Sequence, residues 1–185
     1  MFYTRIKVVP RKSRPYIGCD FFIKGSEFMR KFEKISFEQF KKDINDDKNL
    51  YNEYLIPKRS TKTSAGYDFK AIEEFSLRPG EIKKIPTGIK ACMEKDEVLL
   101  IVVRSSMGFK YNIRMCNQVG VIDSDYYNNE KNEGHIWIAL KNEGDIEYIF
   151  KKDEGFAQAI FTKFLTVCDE EDVNNIREGG FGSTN

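Results

Sequence analysis

The sequence predicts a mainly β domain, a sandwich or barrel, with a short helical segment near its N-terminus. Three observations lead there. After Pro57, short apolar runs follow one another with Gly and Pro punctuation, as strands joined by tight turns do. The segment Glu97 to Val103 contains an apolar run bounded by charge, the pattern of a strand buried on both faces. Between Ser26 and Lys48 the period changes: Phe28 and Phe32 are four apart, and Phe37, Phe40 and Ile44 follow at three and four, the spacing of a helix face.

Taken in order, Tyr3 to Val9 alternates around Ile6 and Val8 and stops at Pro10, which suits an opening edge strand. Arg11 to Gly25 is irregular. In the helical segment Ser36 and Gln39 form a capping box, so a break is expected near Ile35 with a second helix after it. The apolar stripe is expected to pack on the domain, and the alternative is a docking site for a protein partner at 26–48. Arg78-Pro79-Gly80-Glu81 is a turn, with proline presetting one backbone angle and glycine allowing another. Ile82 to Ile85 resumes a strand, which Pro86-Thr87-Gly88 interrupts. Ile136 to Leu140 and Phe156 to Val167 are further strands. The last nine residues, Arg177 to Asn185, have no apolar periodicity and read as a flexible tail.

With 185 residues and 41% apolar content, the chain can bury the core of one domain, 1–185. Lys and Arg number 30 against 29 for Asp and Glu, too balanced for a general binder of nucleic acid or membrane surface. Arg5, Lys7, Arg11, Lys12 and Arg14 near the start suit a solvated face beside an edge strand. No run is long enough for a membrane span and the first residues lack a signal-like core, so a cytoplasmic protein is expected. Cys19, Cys92, Cys116 and Cys168 are far apart and His135 is the one histidine, which leaves no zinc set and suggests reduced thiols. His135 precedes Ile136-Trp137-Ile138, so a strand-start role is expected of it.

Asn117 to Tyr126 stands out. An apolar run, Val119 to Ile122, breaks into Asp123-Ser124-Asp125 and then aromatics, which reads as a strand entering a hairpin with Asp123 at the lip of a sheet. Four other segments carry chemistry. Ser64-Ala65-Gly66-Tyr67-Asp68 offers a kink and a carboxylate. Arg104-Ser105-Ser106-Met107-Gly108 follows the buried strand with a guanidinium, two hydroxyls and a glycine, groups suited to phosphate oxygens. Gly155-Phe156-Ala157-Gln158 brings an amide. Arg177-Glu178-Gly179-Gly180-Phe181-Gly182-Ser183-Thr184 joins a cation, backbone amides, an aromatic ring and hydroxyls, able to close over a base and a polyphosphate together.

In order and spacing these segments resemble the five motifs of the trimeric dUTPase family. Leu77, Pro79-Gly80-Glu81 and Ile85-Pro86-Thr87-Gly88-Ile89 resemble its stretch between the first two motifs. The likeness runs from about Pro57 to Asn185. It implies a mainly β, jelly-roll or β-barrel subunit with a helical insertion, 18–50, after the first strand, and a C-terminal lid at 177–185. It also implies a homotrimer with shared active sites, hydrolysis of dUTP to dUMP and pyrophosphate, and Mg²⁺ held mainly by the substrate's phosphates.

By the same resemblance, Asp123 is the base that activates water against the α-phosphorus. Asn117 and the backbone of Val119, Gly120 and Ile122 read uracil, Tyr126 packs on the deoxyribose, and Phe181 stacks on the base. Arg104, Ser105, Ser106, Gly108 and Gln158 face the phosphates, joined by Arg177, Gly182, Ser183 and Thr184 from the tail, while Asp68 supports the water shell of Mg²⁺. The chemistry is coherent on its own terms, since cleavage between phosphates needs an in-line water, a base, and donors on the leaving group. Gly155 stands where the family usually has arginine, and Tyr127 to Gly134 replaces its customary turn. The alternatives are a dCTP deaminase, which shares the Arg-Ser-Ser segment and is distinguished by ammonia release, and a dUTP-responsive regulatory protein acting through the insertion.

Overall fold

The strand from Glu97 to Val103 is bordered on both sides. In this computed structural model, which describes residues 30–170, it is β7 of twelve strands among those residues. Before it come β1 (Lys31–Lys34), α1 (Phe37–Asp43), α2 (Lys48–Glu53), β2 (Lys58–Arg59), β3 (Tyr67–Lys70), β4 (Phe75–Leu77), β5 (Ile82–Pro86) and β6 (Ile89–Cys92). After it come α3 (Ser105–Tyr111), β8 (Ile113–Met115), β9 (Gly120–Asp123), a 3-10 turn at Ser124–Tyr126, β10 (Trp137–Asn142), β11 (Tyr148–Phe150) and β12 (Gly155–Lys163).

A five-stranded sheet runs β2-β3-β12-β7-β9, and its described pairings are antiparallel. The second sheet, β5-β10-β8, is also antiparallel, and β11-β4 and β1-β6 form two-stranded pairs. Ile136, Ile138 and Leu140 point inward and are fully buried, alternating with half-buried Trp137, Ala139 and Lys141. That period of two divides the core from the outer face of the second sheet. Phe69, Leu99, Ile101, Phe150 and Phe156 complete the centre, with Phe75 stacked on Phe150 at 4.5 Å between ring centroids.

The N-terminal segment departs from the expected pair of helices. Lys31–Lys34 is a strand, not a helical turn, and it lies antiparallel on β6 with Phe32 opposite Ala91. Phe32 packs its ring against Tyr67, Phe69 and Phe161, so a sheet edge and an aromatic pocket override the four-residue spacing. The second helix starts as predicted. The Ser36 hydroxyl accepts from Gln39 N at 3.1 Å, although the Gln39 amide turns forward to Asp43 rather than back to the cap. Phe40 is buried and Phe32, Phe37 and Ile44 pack against the core, so the described part of the apolar stripe is used within the fold.

Two further boundaries differ from expectation. β12 stops at Lys163, where its partner β7 runs out opposite Glu97, and Leu165 and Val167 are exposed. The expected hairpin past Ile122 is instead the 3-10 turn, and the reversal comes earlier, at Cys116–Val119, where Gln118 takes φ of 61°. β8 and β9 pair with different strands, because the chain crosses from one sheet to the other there. Cys92 is disulfide-bonded, against the expectation of reduced thiols, whereas Cys116 and Cys168 are free. The proposed opening strand Tyr3–Val9, Cys19, Phe28, and the tail residues Arg177, Phe181, Gly182, Ser183 and Thr184 lie outside the described residues. No helix among the described residues is long and apolar enough to cross a membrane.

Candidate active site

Where the chain crosses between the sheets it leaves a cavity of about 400 Å³. Asn117, Gly120, Ile122, Asp123 and Tyr126 line it, five of the residues that the sequence motifs point to. The crossing is held by short backbone bonds: Gln118 N donates to Met115 O at 3.2 Å and Cys116 N to Ala139 O at 2.9 Å. A side chain at Gly120 would press on Ile101 Cβ at 3.2 Å, so the absent Cβ keeps this wall close to β7. Asp123 ends β9 opposite Val98, half-buried, where a carboxylate stays wettable yet reaches the cavity. Val119 is exposed beside the reversal and is not among the lining residues.

Other lining residues belong to no sequence motif: Trp137, Ala139 and Ile136 from β10 and its approach, Lys84 from β5, and Cys116 and Met115 at the crossing. One signal in the sequence points to Trp137 alone. Trp137 is the single tryptophan and alternates with buried isoleucines, so it has to face outward from a core strand. Lys84 and Ala139 face each other in register, which no reading of separate runs could show.

The 3-10 turn carries Tyr126 inward, so the residue lines the cavity while only 6% exposed. The hydroxyl donates to the His135 carbonyl at 3.0 Å and accepts from Asn132 Nδ2 at 2.8 Å. His135 itself is fully buried. Its Nε2 accepts from Gly88 N at 2.9 Å, so Nδ1 carries the proton and donates it to Asp43 at 2.6 Å. Burial pushes this imidazole below its ordinary value, with Asp43 pulling partly back. It is a neutral structural bridge at the start of β10, as the sequence suggests. Burial, followed by the Glu33 carboxylate, pushes the neighbouring Tyr127 phenol up to about 12.

A second group forms around β3, β12 and the end of β7. Gln158 is in register with Asp68 on one side and Val102 on the other. The Asp68 carboxylate accepts from Ser60 Oγ and lies 3.3 Å from Arg104 Nε. Arg104 Nη1 donates to Gly155 O at 3.3 Å. A Cβ at Gly155 would sit 2.8 Å from that nitrogen, so the bare glycine makes room for Arg104. Gln158 rests in turn against Gly66, where a Cβ would come within 2.4 Å of its Oε1. Ser105 and Ser106 open α3, and Gly108 N donates to Arg104 O at 3.3 Å inside its first turn.

Thus Asp68, Arg104 and Gln158 come together, with Ser105 and Ser106 directly after Arg104. None of these five residues lines the cavity that holds Asp123. The two groups lie at different heights along β7: Asp123 of the edge strand β9 is opposite Val98 near its start, whereas Gln158 is opposite Val102 and Arg104 follows its last residue. Among the described residues no cluster of three or more His, Cys, Asp or Glu could hold a metal ion.

The family profile described as dUTPase matches residues 52–185. The deoxyuridine 5'-triphosphate nucleotidohydrolase of Lactococcus lactis is 51% identical over 130 residues, covering 70% of this chain and 87% of its own. The counterpart from Nautilia profundicola is 36% identical over 141 residues, covering 74% and 95%. Among solved structures, the dUTPase of Streptococcus mutans superposes with a TM-score of 0.60 at 40% identity, covering 74% of this chain and 98% of that one. With a cavity built from Asn117, Asp123 and Tyr126 and the profile spanning most of the length, the chain belongs to the dUTPase family.

Proposed function

We propose that the protein hydrolyses dUTP to dUMP and pyrophosphate, and that it does so as a homotrimer with active sites shared between chains. The observation that carries the chemistry is the common cavity of Asn117, Asp123 and Tyr126. Asn117 and the backbone at Val119, Gly120 and Ile122 read the edge of uracil, and the Tyr126 ring closes against the deoxyribose. Asp123 takes a proton from the water that attacks the α-phosphorus, and the leaving pyrophosphate departs in line.

The phosphates belong to the other group. Ser105 and Ser106 offer hydroxyls at the start of α3, Gln158 an amide, and Arg104 a guanidinium steadied by Asp68 and the Gly155 carbonyl. Gly108 lies in the same turn. In this reading one chain supplies the nucleoside wall of a site and a neighbour its phosphate wall; the separation of these donors from the cavity with Asp123 supports it. Arg177, Gly182, Ser183 and Thr184 clasp the terminal phosphates, and Phe181 covers the base.

Magnesium suits this set. It prefers oxygen donors and keeps its waters, so a triphosphate between the Asp68 carboxylate on one wall and Asp123 on the other would need no protein cage. When bound it neutralises charge on the leaving group; the chain's own residues position the nucleotide and move the proton.

Pyrophosphate release from dUTP, dTTP, dCTP and UTP, compared with and without Mg²⁺, tests the reading. Fast release confined to dUTP and lost on chelation is expected, and equal rates on dTTP would remove the uracil assignment. Ammonia release from dCTP would instead place the protein with the deaminases. Size and activity on dilution test the sharing: activity per chain that survives dissociation into monomers would overturn it.

A further inference from the structure

Residues 127–134, which replace the family's customary turn after Tyr126, form a hydrogen-bonded frame rather than a loose loop. Its centre is Asn132. Besides donating to the Tyr126 hydroxyl at 2.8 Å, Asn132 accepts from Asn129 Nδ2 at 2.7 Å and from Gly134 N at 3.2 Å through Oδ1. Asn129 is itself buried. It donates to Tyr126 O at 3.0 Å and accepts from Asn132 N at 3.2 Å, so the two amides brace each other and the tyrosine backbone.

The frame is tied down at its far end. The next residue, Glu133, accepts from Ser36 N at 2.9 Å and from Ser36 Oγ, with Lys90 Nζ 3.3 Å away. Burial opposes the charge on Glu133, but the Ser36 and Lys90 contacts hold its carboxyl below the usual range. Ser36 is the N-cap of α1, so the frame spans from the helical segment to the cavity wall.

We infer that Asn132 is a positioning residue for sugar discrimination: through the Tyr126 hydroxyl it fixes the ring that decides between a deoxyribose and a ribose. The physical case is one of satisfied bonds. The hydroxyl has one proton, which goes to the His135 carbonyl, and Asn132 supplies the donor it accepts from. With both engaged the ring cannot back away from the cavity without breaking a buried bond. A ribose 2′-hydroxyl therefore meets a wall that does not yield. The inference rests on the reading of Tyr126 as the sugar-facing residue.

The test is the ratio of kcat/KM for dUTP to that for UTP, measured on one preparation so that the fraction of active enzyme cancels. Loss of stability alone leaves this ratio unchanged. Asn132→Leu should lower it about three- to tenfold. Tyr126→Phe keeps the ring, removes only the hydroxyl, and should lower it by a similar factor. The double variant should lower the ratio no further than either single one, because without the hydroxyl the Asn132 amide nitrogen has no tyrosine oxygen to donate to. An unchanged ratio in Asn132→Leu while Tyr126→Phe lowers it overturns the inference, as do effects that multiply in the double variant. If Tyr126→Ala also leaves the ratio unchanged, the sugar-facing reading itself falls and takes the inference with it.

Discussion

His135 and Asp43 are joined by a 2.6 Å hydrogen bond that ties the last residue of α1 to the approach of β10, although 92 positions separate them. On its other side the imidazole accepts from Gly88, so one neutral ring connects the helical segment, the turn before β6 and the cavity side of the second sheet. His135→Leu strands the Gly88 N–H and leaves the Asp43 carboxylate with the Gln39 amide but without its imidazole donor. A loss of about 2–4 kcal/mol in urea-unfolding free energy is expected.

The same ring gives stability a pH dependence of known sign. Its folded value lies below the ordinary 6.5, so as pH falls the unfolded chain takes up the proton first. Its contribution is complete above the ordinary value, is lost as pH falls towards the folded value, and levels off below it. Urea midpoints taken between about pH 7.5 and 5 should show this slope. His135→Leu should remove that part of it, and an unaltered profile would mean that other groups carry the acid sensitivity.

Gly134 has φ of 81°, and a Cβ there would lie 2.5 Å from Tyr126 O and 3.0 Å from Tyr127 Cα. Both are backbone atoms with nowhere to go. Gly134→Ala should cost about 2–3 kcal/mol, read from the unfolding midpoint. An effect of a few tenths would show that the turn relaxes freely.

Asp123→Asn keeps the shape of the side chain and removes its basicity. Turnover of dUTP should fall about 10²–10⁴-fold while nucleotide binding, measured by calorimetry with a non-hydrolysable analogue, is retained. Near-normal turnover would take Asp123 out of the mechanism.

Gly155→Ala directs a methyl group at Arg104 Nη1, 2.8 Å away. The guanidinium is the far end of a flexible side chain, so stability should change by less than about 1 kcal/mol. The displaced Arg104 loosens from Asp68 and from the 155 carbonyl, and KM for dUTP should rise about three- to tenfold. Unchanged kinetics would mean that Arg104 is spectator to the phosphates.

Removing residues 177–185 tests the lid that the family resemblance implies. Efficient hydrolysis should be lost while the unfolding transition of the remaining chain persists. A truncated protein with full turnover would free the site from its tail.

Several of these features are legible in the amino-acid sequence. The apolar run Glu97–Val103 is the strand between β12 and β9, and the Ser36 cap and the Pro86-Thr87-Gly88 break stand where local chemistry places them. Lys31–Lys34 misleads because four-residue spacing of phenylalanines fits a helix, and only the open edge of β6 and the rings of Tyr67, Phe69 and Phe161 make it a strand. Asn117, Gly120, Asp123 and Tyr126 can be named from their motif. Lys84, Cys116 and Ala139 cannot, since a cavity wall is assembled from chain segments with no common pattern.

Residue types and their near neighbours set the chemistry and the local devices: which carboxylate is offered at the end of which strand, where turns and caps fall, and which family the motifs resemble. These depend on positions a few residues apart, so they are written in the chain. What the devices do together was settled only by folding. It made His135 a neutral bridge to Asp43, turned residues 127–134 into a frame around Tyr126, and put Arg104 in the space that Gly155 leaves. It also set Asp123 opposite Val98 and Gln158, with Asp68 beside it, opposite Val102, at different heights of one sheet. The physical reason is that burial, tautomer and packing are set by atoms distant in sequence, and no local pattern encodes which of them will meet.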